Sequence, residues 1–261
     1  MKRTIKSGKA HRATLSSPAS FPSRINGVDM ARGVALALMI CYHFCFDLNY
    51  FQLAEFDFYH SAFWLFARAM IVTLFLLLVG ISLHLATANG LRRASYLRRL
   101  VTLVACAALV SAASYSMYPA SGIFFGVLHF IALASLLGLF FTRFYGINLV
   151  TGVTWIAAGL LIQHPWFDQP WANWIGLMTH KPVTEDYVPL FPWFGVVLLG
   201  LFLGKSLTRS AQGKRPQKSL PTAYGNRMLA LAGRHSLAIY MLHQPVLLGI
   251  LYFSIKLKGY F

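Results

Sequence analysis

The chain has 261 residues, 57% of them hydrophobic and only 11% charged, with a mean hydropathy of +0.59. A soluble domain carries about 25% charged residues, so the solvent for most of this chain is lipid. The net charge of +16 is no nucleic-acid footprint, because the Lys and Arg cluster between apolar runs.

Residues 1–23 form a basic, Ser-rich arm, expected to be disordered in the cytoplasm. The apolar run behind it is too long for a signal-peptide core, and the first helix is expected to be retained. Residues 24–261 then read as one all-α, polytopic membrane domain. A span needs roughly 20 apolar residues. Seven stretches are expected to cross: 28–50, 62–87, 99–117, 123–142, 147–163, 190–207 and 229–254.

Charge orients them. With the N-terminus inside, the inside segments hold the basic arm, Arg92 to Arg99, Arg143 and the cluster from Lys205 to Arg227. The outside loops hold Glu55, Asp57, Asp168, Lys181, Glu185 and Asp186. This obeys the positive-inside rule and predicts seven helices, N-in and C-out. Lys256 and Lys258, which fall outside, are the mild exception.

The first span, "VDMARGVALALMICYHFCFDL", carries Asp29, Arg32, His43 and Asp47. At 100° per residue these four fall within a stripe of roughly 60°, running about 27 Å along the helix. Ionisable groups at membrane depth normally face protein or a water-filled cavity. Asp29 and Arg32 can pair at i, i+3, either as an interfacial cap with a snorkelling Arg or as one end of a polar passage. His43 and Asp47, at i, i+4, form a candidate proton-transfer pair in which the carboxylate orients the ring.

His60 follows the acidic loop "EFDFYH" at the outer mouth of the second span. Arg68 lies two turns deeper, with Asp47 as its expected counter-ion. His84 and His129 are single polar residues on apolar helices, expected to be hydrogen-bonded core or interface groups. Cys41, Cys45 and Cys106 lie in apolar stretches, with no metal spacing or pairing pattern.

The longest outside loop, 163–193, holds four of the six tryptophans. Indoles at headgroup level anchor a membrane protein; the alternative is an aromatic platform for sugar rings. In the last span, "GRHSLAIYMLHQP", Ser236, Tyr240, His243 and Gln244 share a sector of about 100°. They serve either as interhelical hydrogen-bond groups beside a Pro245 kink or as a wall of the same polar cavity.

The stretches "RINGVDMARGVALALMICYHFCFDL", "FLLLVGISL", "FGVLHFIALASLLGL", "DYVPLFPWFGVVLLGLFLGK" and "LAGRHSLAIYMLHQPVLL" resemble the catalytic-domain family of heparan-alpha-glucosaminide N-acetyltransferase, in particular its short seven-span bacterial members. The resemblance runs from Arg24 to about Leu251. It implies a transmembrane acyltransferase that takes acetyl-CoA from the cytoplasmic side and acetylates an amino sugar on the far side. The family's R-x-x-x-D-x-x-R-G opening matches Asp29, Arg32 and Gly33, with Arg24 one position further out. The polar position fourteen residues after that Asp is Asn in the lysosomal enzyme and His43 here. The family's catalytic histidine corresponds to His60, behind a longer loop, and His43 is the other candidate.

Under that resemblance, His60 or His43 serves as base or acetyl carrier. Asp47 orients the ring, and Arg68, or Tyr240 with Ser236, donates to the oxyanion. Asp29, Arg32, Arg234, His235, Ser236, Tyr240 and His243 are expected on the acetyl-CoA side, with no metal. The expected acceptor is an amino sugar or hydroxyl of an envelope glycan or lipid-linked sugar. The expected location is the inner (plasma) membrane, and homo-oligomerisation is left open. The competing function is a proton-coupled small-molecule transporter with an intramembrane Asp–His relay. The two halves of the chain show no internal repeat, which disfavours it.

Overall fold

The computed structural model describes residues 25–117, 119–184, 186–211 and 224–257. The expected N-terminal arm, Arg24, Glu185, Lys258 and much of the cluster before Arg227 lie outside the described residues. Among the described residues, eight α-helices and one short 3-10 turn carry the fold. They are α1 (Asn26–Tyr50), α2 (Ala62–Thr87), α3 (Arg93–Met117), α4 (Val127–Phe141), α5 (Gly146–Leu161), α6 (Leu190–Ala211), α7 (Tyr224–Arg234) and α8 (Ser236–Leu257). The 3-10 turn is Pro165–Asp168.

Five helices, α1, α2, α3, α6 and α8, are long and apolar enough to cross a membrane. The apolar α4 and α5 have 15 and 16 residues, fewer than the roughly 20 that span a bilayer. The span expected from 123 starts as a helix only at Val127. Residues 123–126 are drawn into irregular contacts instead. The Ile123 amide donates to Ser114 Oγ at 2.8 Å, and Gly126 bridges to Tyr187.

The helix expected over 229–254 is a second correction. It breaks at His235 into α7 and α8. At the end of α7, Arg234 reaches back to α1, donating to Asn26 Oδ1 at 3.1 Å and Asp29 Oδ2 at 3.4 Å. Past the break, α8 continues unbroken through Pro245.

The main core lies among α2, α3, α4 and α6, around Leu76, Leu83, Phe130, Phe194, Leu198 and Leu201. Its tightest seam joins α2 to α6. A Cβ on Gly80 would come within 2.2 Å of the Val197 carbonyl oxygen, and one on Gly200 within 2.4 Å of Leu77's. Only glycine permits backbones this close, as in small-residue helix packing within membranes. His84 Nε2 and Thr208 Oγ1, 3.1 Å apart, add a buried hydrogen bond to that seam. His129 is likewise tied into the structure, 3.3 Å from Ser111 Oγ. Both histidines are hydrogen-bonded packing groups, as their isolation on apolar helices suggested.

Two smaller apolar clusters fasten α1 to its neighbours. Val28 and Ala35 pack with Leu78, Ile81 and Leu85 of α2, while Leu36 and Met39 pack near Ile239 and Tyr240 of α8. These contacts turn the polar stripe of α1 toward α7 and α8.

Candidate active site

At the N-terminal end of α1, Asp29 is 4% exposed. A carboxylate in the first turn of a helix complements the helix dipole. Here it also collects two guanidinium groups. Arg32 Nη1 donates to its Oδ1 at 2.9 Å, and Arg234 Nε to its Oδ2 at 3.4 Å. Arg32 further donates to Ser82 Oγ at 2.6 Å and to the Gly233 carbonyl at 3.3 Å. The cluster thus ties α1 to α2 and α7, and its two cations against one carboxylate leave a net positive charge. His235, exposed, and Ser236, half-buried, follow at the α7–α8 junction.

Further along α1, a second polar group forms against α8. Asp47 is 2% exposed, and its Oδ1 accepts from Gln244 Nε2 at 2.6 Å. One turn back, the His43 ring meets the His243 ring edge-on, with centroids 5.0 Å apart. His243 Nδ1 lies 2.5 Å from the Tyr240 carbonyl oxygen. A carbonyl can only accept, so Nδ1 carries the hydrogen and Nε2 keeps its lone pair. Three side-chain atoms here, Asp47 Oδ2, Gln244 Oε1 and His243 Nε2, are buried without a hydrogen-bond partner among the described residues.

The expected pairs are therefore rearranged. Instead of orienting His43, Asp47 is engaged by Gln244, because α8 brings an amide donor to it. Nor does Asp47 neutralise Arg68, which is exposed on α2 and forms no ion pair among the described residues.

Tyr240 turns the other way, toward the loop before α6. Its hydroxyl donates to Asp186 Oδ2 at 2.9 Å, and the Val127 amide at the start of α4 donates to the same oxygen at 3.2 Å. Asp186 has φ of 47°, a left-handed conformation uncommon outside glycine. The loop thus places a carboxylate at the N-terminus of α4, where the dipole favours it. Nearby, burial pushes the Tyr187 hydroxyl well above the usual tyrosine range.

His60 occupies a separate place, in the turn between α1 and α2. Its side chain is 87% exposed, and its Nδ1 lies 3.1 Å from Asp57 Oδ1. The backbone amides of His60 and Tyr59 donate to the same oxygen at 2.8 and 3.2 Å. Led by the His60 backbone bond, these donors hold the Asp57 carboxyl below the usual range. Ionised, Asp57 can only accept, so His60 Nδ1 is the donor to it and Nε2 lies outside that bond.

Apart from Arg68, His235 and Ser236, the expected site residues thus fall into three groups. Asp29, Arg32 and Arg234 form one. His43, Asp47, Tyr240 and His243 form the second, along the α1–α8 seam. His60 stands with Asp57 in a third. Four partners were missed in the sequence: Asn26, Ser82, Asp57 and Asp186. Of these only Asp57 left a local trace, three residues before His60 in an exposed loop.

Long apolar helices enclosing ionisable side chains that face one another define a polytopic helical membrane protein. The chain belongs to the heparan-alpha-glucosaminide N-acetyltransferase catalytic family, whose model matches residues 24–245. No curated protein and no solved structure matches it.

Proposed function

We propose that this protein is a seven-span, N-in and C-out acyltransferase of an inner (plasma) membrane. It moves an acetyl group from cytoplasmic acetyl-CoA to an amino sugar or hydroxyl of an envelope glycan on the far side. Family membership supports acyl transfer. The observation that carries the rest is the α1 stripe. Its Asp29 pairs with Arg234 of α7, and further along its His43 meets His243 and its Asp47 meets Gln244 of α8, so one face of α1 carries two polar groups against α7 and α8.

The net positive cluster at Asp29, Arg32 and Arg234 suits the CoA phosphates, which guanidinium groups hold by charge-assisted hydrogen bonds. The exposed His60, oriented by Asp57, suits the acceptor side. Its Nε2 takes the proton from the attacking amine or hydroxyl as the new bond to the thioester carbonyl carbon forms. The carbon–sulfur bond then breaks, and CoA leaves as the thiol after taking up a proton. His43 with His243 is the alternative base, deeper in the seam. Arg68 remains the candidate oxyanion donor; the Tyr240 hydroxyl, expected to share that role with Ser236, is given to Asp186.

Purified protein in liposomes, given acetyl-labelled CoA and glucosamine, tests this reading. Labelled N-acetylglucosamine that disappears with His60→Ala or His43→Ala supports it. Solute flux without thioester consumption would instead favour the proton-coupled transporter.

A further inference from the structure

Between α3 and α4 lies an open groove of about 430 Å³, within the range of small-molecule sites, about 300–1,000 Å³. Val104, Ala107 and Ala108 of α3 form one wall, and Ala132 and Leu133 of α4 the other. The hollow exists because alanines stand where larger side chains would close the helix pair. A latch from Tyr96 Oη to the Ser135 carbonyl, 2.7 Å long, joins the two helices near their other ends.

One end of the groove is closed by the Phe125 and Trp174 rings, whose centroids are 6.1 Å apart. Both residues are fixed to the loop that carries Asp186. The Phe125 carbonyl accepts the Val188 amide at 3.4 Å, and the Trp174 carbonyl accepts the Leu190 amide at 2.9 Å. Two residues beyond Phe125, the Val127 amide donates to Asp186, which receives Tyr240. The aromatic end therefore abuts the polar seam. His129, the one ionisable side chain in the lining, is already bonded to Ser111 and to the Gly126 amide.

We infer that this groove binds one hydrocarbon chain, that of a lipid-linked acceptor, and holds its head group toward Asp186 and Tyr240. The inference rests on the acyltransferase reading and narrows its acceptor to a lipid-linked one. The occupant follows from the surroundings. α3 is apolar enough to span a membrane, and its exposed Val101, Val104 and Leu109 face the medium in which the groove opens. In a bilayer that medium is acyl chain, and an apolar hollow takes apolar groups from it.

Two measurements test it on the full chain. In liposomes of phosphatidylethanolamine and phosphatidylglycerol, a trace of phosphatidylglycerol with a diazirine in its acyl chain should label residues 104–108, 133 and 174 above Val101 or Leu160. Ala108→Trp should abolish that excess, and Val101→Trp should leave it. Uniform labelling around α3, or none in the groove, overturns the site. In the second measurement, Ala108→Trp should raise KM for dodecyl glucosaminide at least tenfold while transfer to free glucosamine stays as in wild type. Equal change for both acceptors, or for neither, overturns the assignment to the acceptor. If wild type acetylates neither, the acyltransferase reading falls, and the labelling alone decides the groove.

Discussion

Gly233 lies flush against the backbone of Asp29: a Cβ on Gly233 would stand 1.8 Å from the Asp29 carbonyl oxygen. One turn away, a Cβ on Gly33 would stand 2.1 Å from the Leu229 carbonyl oxygen. These two approaches set α1 and α7 antiparallel and bring Arg234 to Asp29. Gly233→Ala is expected to push α7 off α1 and break the Asp29–Arg234 pair. Overpacking of this kind costs about 1–3 kcal/mol. Thermal unfolding in detergent reads it as a lowered Tm. Gly225→Ala, on the same helix with open space around it, should leave Tm unchanged; equal effects of the two would refute the account.

Among the described residues, Asp47 depends on Gln244 for the only hydrogen bond to its buried carboxyl group. Gln244→Ala removes the donor and leaves the carboxyl unpaired, at a cost of about 1–3 kcal/mol. Gln244→Glu replaces that amide donor with a second carboxyl and should be worse. Unfolding of both variants against wild type provides the check, and a neutral Gln244→Glu would show that this pair does not hold α8 to α1.

Much of this organisation was legible in the sequence, and the missing parts share one cause. The expected spans 28–50 and 62–87 meet α1 and α2 closely because turn-forming polar residues bound each apolar run. The helix angles also placed Asp29, Arg32, His43 and Asp47 on one protein-facing side. Periodicity identifies a face but not what meets it. Gln244 lies 197 residues from Asp47, and Ser82 lies 50 from Arg32, so neither pairing left a local pattern. The break at His235 was hidden because the apolar character of the last span outweighed the polar end of α7.

Asp57, exposed, and Asp168, half-buried, are carboxyls held by local donors. Asp168 accepts the Thr179 hydroxyl at 2.7 Å and amide at 2.8 Å, and these bonds, the hydroxyl's first, lower its pKa. A depressed carboxyl stabilises its loop above the unfolded pKa, about 3.9 for Asp, and loses that contribution as pH falls through the folded value. Both turns should therefore persist unchanged from pH 7 to pH 5 and loosen only in stronger acid. Hydrogen exchange at the His60 and Thr179 amides, corrected for intrinsic rate, measures this. Loosening already at pH 5 would contradict it.

The surroundings of the two candidate histidines set what each substitution should do. His60 is exposed beside the Asp57 carboxylate, whereas the His43 ring is half-buried and packed against His243. If His60 is the base, His60→Gln lowers kcat by about 10²–10⁴-fold, the usual worth of a positioned base. Asp57→Asn should lower kcat by less, because it leaves the ring present but unoriented, and KM for acetyl-CoA should stay near wild type. His43→Gln should then act on packing against His243 and be seen in Tm as much as in rate. A full loss with His43→Gln alongside near-normal turnover with His60→Gln would move the chemistry into the α1–α8 seam. In that case the unpartnered Nε2 of His243 becomes the first group to substitute.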